Sequence, residues 1–281
     1  MSLDPLKLPS LLRDFGITPK KKLGQNFLVD DAYLLRIVQV AELSAGTDAL
    51  EIGAGAGNLT RYLAQAARTV IAVEIDQALF PLLKKTTAPF ENVEIIQGDI
   101  LQQDISKMMC KPGYVVVANI PYYITSALIR FLLESPSKPS RIVLTIQEEV
   151  AQRVCAIPGD LSLLALSVQL YGDPRIALRI PAGAFYPAPN VDSAVLLLDL
   201  FSEPRIPQDQ IDDFFRLAKA AFSQKRKMLR NTLASAPGLN KDSAETMMEK
   251  AKIDPKRRAQ SLSIDEWHHL ATNYQALLKG K

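Results

Sequence analysis

At 281 residues, with 48% hydrophobic and 22% charged side chains, the chain has room for more than one domain and the balance of a water-soluble globular protein. No apolar run is long enough to span a bilayer and no secretory leader opens the chain. Two cysteines, Cys110 and Cys155, with no Cys or His cluster near them, argue against a disulfide scaffold or zinc site and for a reducing cytosol; no metal is expected. Net charge is +3, unevenly placed: residues 1–200 carry 18 Lys and Arg against 20 Asp and Glu, and residues 201–281 carry 15 against 10. That basic tail segment suits a polyanionic partner, although a solvated charged face explains a small excess about as well.

Residues 1–19 carry few signals and read as an arm with a short helix. Lys20-Lys21-Lys22 then leads through a Gly24-Gln25-Asn26 turn into Phe27 and Leu28, with Asp30 placed to cap the following helix; this reads as a loop packed over a site. A helix is predicted over residues 31–43 from apolar Leu34, Leu35, Val38 and Ala41, and the first strand over residues 48–52. Gly53-Ala54-Gly55-Ala56-Gly57-Asn58 opens the next helix. Strands are predicted at 69–75, 93–97, 114–118, 141–147, 176–180 and 194–200, with helices at 148–155 and 161–170 among them. Strands alternating with helices at this spacing predict a doubly wound, mainly parallel α/β sheet.

Glu203-Pro204 and Ile206-Pro207 break the pattern and are read as the domain boundary. Beyond them the period is helical throughout. Ile211, Phe214, Phe215, Ala218 and Phe222 form one apolar stripe, and further helices are predicted at 225–234, 242–250 and 263–278. The only histidines, His268 and His269, are neighbours in the last of these, where adjacent side chains point different ways. They read as surface residues and not as a base.

Chemistry concentrates at the ends of four successive strands. Glycines at 53, 55 and 57 let a ligand approach backbone where a strand turns into a helix. The third glycine of a dinucleotide fingerprint would fall on Asn58, and no Gly-Lys-Ser or Gly-Lys-Thr follows, so neither a dinucleotide nor a Walker loop fits. Glu74 stands about 20 residues beyond the loop, the interval at which an acid reaches a ribose diol. Asp99 ends the third strand as a further acceptor. The set suits a nucleoside without phosphate, such as S-adenosylmethionine, whose sulfonium tolerates an acidic rim.

At the end of the fourth strand stands Asn119-Ile120-Pro121-Tyr122. Pro121 holds Ile120 out of the helical region so that its carbonyl can face outward; Asn119 adds a neutral acceptor and Tyr122 a flat apolar face. Two acceptors beside an aromatic platform suit the amino edge of an adenine. In isolation the glycine turn and the Asn119 to Tyr122 tetrapeptide are better read as ordinary turns, and their ordered recurrence at four strand ends is what favours a site.

The motifs Leu23-Gly24-Gln25-Asn26-Phe27-Leu28, Glu51 to Thr60, Val73-Glu74-Ile75-Asp76, Gly98-Asp99, Asn119 to Tyr122, Phe185 to Ser193, Phe222 to Asn231 and Arg258 to Leu262 together resemble the ribosomal RNA adenine dimethyltransferase family. The resemblance runs from Lys21 to the C-terminus. It implies a Rossmann-like methyltransferase sheet followed by a small all-α domain, divided as a 1–30 arm and covering loop, a 31–202 S-adenosylmethionine-dependent domain and a 203–281 helical RNA-binding domain. By similarity Asn26, Leu28, Gly53, Gly55, Glu74, Asp99 and Asn119 would hold the methyl donor. Asn119, Ile120, Pro121, Tyr122 and Phe185 would hold the target adenine, and Lys225, Arg226, Lys227, Arg230, Arg257 and Arg258 the RNA. Trp267, where a smaller aromatic is expected, and Gln260, where Glu is common, depart from the pattern in the helical domain, where they bear on RNA docking.

The implied activity is transfer of methyl groups to N6 of two adjacent adenines near the 3′ end of small-subunit rRNA within an immature subunit, by a cytoplasmic monomer. Alternatives are a ribosome-assembly binding protein whose methylation is incidental, and a DNA or large-subunit rRNA adenine methyltransferase.

Overall fold

The computed structural model describes residues 3–279, the side chain of Tyr122 excepted. In chain order the elements are α1 (Leu8–Asp14), β1 (Phe27–Leu28), α2 (Asp31–Ala41), β2 (Asp48–Ile52), α3 (Asn58–Ala66), β3 (Thr69–Glu74), α4 (Phe80–Thr87), β4 (Val93–Gln97), α5 (Ile105–Met108), β5 (Val115–Asn119) and α6 (Thr125–Glu134). There follow β6 (Arg141–Gln147), α7 (Glu148–Val154), α8 (Leu163–Gln169), β7 (Gly172–Ile180), β8 (Phe185–Tyr186), β9 (Ser193–Leu200), α9 (Ile211–Phe222), α10 (Leu229–Leu233), α11 (Lys241–Lys250) and α12 (Ile264–Lys279).

Seven strands form one sheet in the order β4-β3-β2-β5-β6-β9-β7. β2 to β6 pair parallel, and β9 runs antiparallel to β6. The β-branched run Val115-Val116-Val117 and the facing Val143 and Val195 are fully or almost fully buried, as strands covered on both faces must be. Leu34 and Ile37 of α2 and Leu59 and Leu63 of α3 close one side of this core. The strand order reverses between β2 and β5, and in such sheets the crevice outside the carboxyl ends at that switch point is where ligands lie. β1 and β8 pair antiparallel as a separate two-stranded ribbon, Phe27 opposite Tyr186 and Leu28 opposite Phe185.

Helix entries follow local chemistry. The Asp30 carboxylate accepts the Ala32 N–H at 2.9 Å, the cap expected from sequence. Asn240 and Ser243 form a reciprocal capping box ahead of α11. The arm residues Leu8 and Leu12 of α1 are buried with Phe27, Ala56, Leu79 and Leu82.

The chain forms two compact units: Met1–Ala151 with Pro174–Leu200, and Gln152–Asp173 with Phe201–Lys281. The sequence boundary after residue 202 assigned all of 152–173 to the sheet domain, whereas these residues cluster with the helices. Ala165, Leu166 and Leu170 pack into the core built by Phe214, Leu217 and Leu233.

Two further expectations change in the helical unit. Residues 225–228 are turns and not the start of a helix; α10 begins at Leu229, whose N–H donates to the Arg257 carbonyl at 2.7 Å, while the Arg230 N–H reaches the Pro255 carbonyl at 3.4 Å. Trp267 is a core residue, wholly buried, with ring centroids 5.8 Å from Phe222 and 6.3 Å from Phe214, so its departure from the family pattern is one of packing and not of RNA docking.

Candidate active site

The four strand ends singled out in the sequence converge on one cavity of about 320 Å³, within the range of small-ligand sites. Gly53 and Gly55, at φ 79° and 61°, turn the chain from β2 towards α3 in the left-handed region that glycine enters without penalty. The Gly55 N–H is not left for a ligand. It donates to the Glu74 carboxylate at 2.7 Å, and the Asp76 N–H donates to the other Glu74 oxygen at 2.7 Å. Glu74 is thus held rigidly at the end of β3 with one further lone pair per oxygen to offer hydroxyl donors. Burial raises its carboxyl above the ordinary value, and the Asp76 and Gly55 N–H bonds oppose that rise. Asp99 accepts the Leu101 N–H at 3.0 Å through one oxygen and turns the strand end into a short helical turn.

At the end of β5 the Asn119 side chain donates through Nδ2 to the Asn26 carbonyl at 3.1 Å. A carbonyl can only face the amide nitrogen, so the bond also settles which end of the side chain remains an acceptor: Oδ1. The covering loop supplies this bond. Residues 21–23 make a 3₁₀ turn, Gly24 follows at φ 61°, and a Cβ there would stand 2.9 Å from the Pro121 Cβ. The loop therefore lies directly on the Asn119 to Tyr122 turn.

Asn26, Gly53, Gly55, Glu74, Asp99, Asn119, Ile120, Pro121 and Phe185 all line the cavity. Leu28 lines a smaller one behind the glycine loop, beside Glu51, Asn58 and Asn119, and its carbonyl accepts the Asn58 amide at 3.2 Å. Tyr122 opens the turn after Pro121, and its ring lies outside the described residues. Phe185 is buried on β8, whereas Tyr123, 65% exposed, stands on the cavity wall. Among the described residues no lysine or arginine lines the main cavity, which carries two carboxylates and an apolar wall including Ile52, Val73 and Ile75. Such a donor set disfavours a phosphate and fits a nucleoside joined to a sulfonium cation.

Sequence reasoning gave no site role to Gln25, Asp76, Ile75 or Glu51. Ile75, half exposed between two acids, offers the flat apolar contact an adenine needs, and an isoleucine facing solvent at a strand end was the available signal. Glu51, in β2, is buried with Oε2 unpartnered, and its carboxyl is pushed up to about 8 by burial, with the nearby Glu74 adding to the rise and the Thr60 hydroxyl opposing it.

In the helical unit Lys225, Arg226, Lys227, Lys256 and Arg258 are exposed, and the Leu229 to Arg257 backbone bond draws their two segments together. Arg257 itself is committed to structure. It forms a bidentate pair with Glu266, the second bond at 3.0 Å, and also reaches Ser261. Arg230 lies 3.6 Å from Glu245.

Residues 16–276 match the family model described as ribosomal RNA adenine dimethylase. The chain belongs to the ribosomal RNA adenine dimethylase family. Among its relatives, "Ribosomal RNA small subunit methyltransferase A" of Bacillus pumilus is 41% identical over 98% of this chain and 97% of its own, and that of Moorella thermoacetica 39% identical over 96% and 98%. A dimethyladenosine transferase from Plasmodium falciparum superposes with a TM-score of 0.78 at 26% identity, covering 89% of this chain and 98% of its own. The 23S rRNA methyltransferase ErmE does so with 0.73 at 26% identity, covering 89% and 100%. This dimethylase is accordingly an S-adenosylmethionine-dependent enzyme, and the acid-lined cavity lies at the switch point of its Rossmann-like sheet.

Proposed function

We propose that the protein transfers methyl groups to N6 of two adjacent adenines in a loop near the 3′ end of small-subunit rRNA, acting in the cytoplasm as a monomer on an immature small subunit. The observation that carries the reading is the tied Asn119. With Nδ2 held by the Asn26 carbonyl, Oδ1 is left as the free acceptor of a side chain that lines the same cavity as Glu74 and Asp99. The approximately 40% identity to small-subunit enzymes, against 26% to the large-subunit enzyme, favours the small subunit as substrate.

The donor, when bound, supplies an electrophilic methyl group on its sulfonium. Glu74 accepts the ribose hydroxyls, Asp99 the adenine amino group of the donor, and Ile75 packs against that base. The target adenine enters splayed from its strand, with Phe185 on one face and Tyr123 at the rim for a neighbouring base. Stacking of this kind is worth on the order of 1 to 3 kcal/mol per base, enough to offset much of the unstacking. Its N6 is a poor nucleophile because the lone pair is delocalised into the ring. Asn119 Oδ1 and the Ile120 carbonyl accept its N–H groups and favour a pyramidal nitrogen with the lone pair turned to the donor. No protein base is required, because the alkylated cationic nitrogen is acidic enough to release its proton to water. After the first transfer a single N–H remains for the two acceptors.

The exposed cations Lys225, Arg226, Lys227, Lys256 and Arg258 hold RNA backbone; Arg257 serves them by fixing the segment that carries Lys256 and Arg258. A competition assay tests the substrate. Labelled donor is supplied with small subunits lacking the modification, large subunits and duplex DNA in one mixture. Label is expected in small-subunit rRNA; predominant label in either competitor overturns the assignment.

A further inference from the structure

The loop over the cavity is fastened at both ends. At one end Asn26 and Gly24 touch the target-base turn, as above. At the other the fastening point is Asp76, two residues beyond the ribose acid, buried to 4% exposure. Lys20 Nζ donates to Asp76 Oδ1 at 2.6 Å, and Gln25 Nε2 donates to Oδ2 at 2.8 Å. The Lys20 N–H donates to Gln25 Oε1 at 2.7 Å, closing a ring of side chains around the loop base. Asp76 also accepts the Ala78 N–H at 3.1 Å. Burial alone would raise its carboxyl; the bonds from Lys20, Gln25 and Ala78 win, and the group is held below its ordinary value, hence ionised under all physiological conditions.

We propose that Lys20, Gln25 and Asp76 form a clasp that retains the methyl donor and, through the Asn26 carbonyl, sets the orientation of Asn119 for the target adenine. These are positioning residues; none of them need touch the target adenine. The chain of bonds is continuous: Asp76 to Gln25 and Lys20, the loop to Asn26, Asn26 to Asn119. A donor held against residues 23–26, which line the cavity, escapes faster when that chain opens. An opened clasp also frees Asn119 to rotate and present Nδ2, a donor, where N6 needs an acceptor. The clasp thereby makes one event of holding the donor and preparing the target site. The proposal rests on the reading of this cavity as the donor and adenine site.

The test is dissociation of labelled S-adenosylmethionine from the full-length protein without RNA, followed by turnover on small subunits at saturating donor. Lys20→Met removes one bond from a side chain that is 39% exposed and leaves the Asp76 cap on Ala78 intact, so the variant folds. Asp76→Asn keeps the size and removes the charge. A charge-assisted bond of this kind is worth roughly a tenfold change in rate, so each variant should release donor about ten times faster. Their effects should not multiply in the double variant, because both open one clasp. Turnover should fall at saturating donor with KM for the subunit unchanged, and Lys20→Arg should restore both. Release within twofold of wild type for Lys20→Met, or effects that multiply in the double variant, overturns the clasp. A wild type that retains donor yet labels no subunit leaves the clasp standing and removes the substrate reading instead.

Discussion

At the residue scale, Glu51 sets a dependence on pH that is separable from catalysis. Its carboxyl is buried against Thr60 and near Glu74, and its pKa rises to about 8. Unfolding returns it to the ordinary carboxylate range, where the proton is lost. Between those values the folded state holds a proton the unfolded state does not, so stability declines as pH rises through that window and levels off above it. Glu51→Gln keeps the shape and removes the titration. Urea unfolding at pH 5 and pH 9 should find variant and wild type nearly equal at the lower pH, and the variant more stable at the higher by on the order of 4 kcal/mol. A difference between the two proteins that is the same at both pH values would mean that Glu51 is charged in the fold. Glu74 is raised too, and because its charge is part of what lifts Glu51, the Glu51→Gln difference reports the pair and not Glu51 alone.

At the scale of elements, the turn of residues 225–228 and the segment 255–258 act as one basic surface. Replacing Lys225, Arg226 and Lys227 with glutamine should lower the slope of log binding constant against log salt by about 0.7 for each phosphate no longer neutralised. Arg257→Gln should leave that slope almost intact and lower the unfolding midpoint instead, because its guanidinium is spent on Glu266. A larger slope change from Arg257 than from the three together would reverse these roles. Such elements also mark how far the sequence could be read. The glycine loop, the acids at strand ends and the Pro turn were legible because each is a local requirement of a strand-to-helix junction. Where α10 begins was not, since its first N–H groups are taken by carbonyls at 255 and 257. Nor was the affiliation of α8: an apolar helical face declares that it will be covered, and not by what. The Lys20 to Asp76 bond joins residues 56 apart in sequence, so the loop could be read as covering a site but not what fastens it there.

Taken as a whole molecule, the chain joins a sheet unit that carries the acid-lined cavity to a helical unit that carries the exposed cations of 225–227, 256 and 258. Unit membership follows packing and not chain order, because Gln152–Asp173 leaves the sheet unit before β7 and β9 complete it. Among the described residues no helix is long and apolar enough to cross a membrane. The proposed function puts chemistry in one unit and RNA affinity in the other, so substitutions in the cavity should change turnover far more than RNA binding. The most direct measurement is mass spectrometry of nucleosides and fragments from unmodified small subunits, incubated with donor and either wild type or Asn119→Ala. Wild type should yield dimethyladenosine at two adjacent adenines near the 3′ end, and the variant should form it slower by on the order of 10² to 10³, the cost of removing one aligned polar partner of the reacting group. No methylated adenosine from a wild type that binds donor and subunit, or equal yields from the two proteins, would contradict the role given to Asn119.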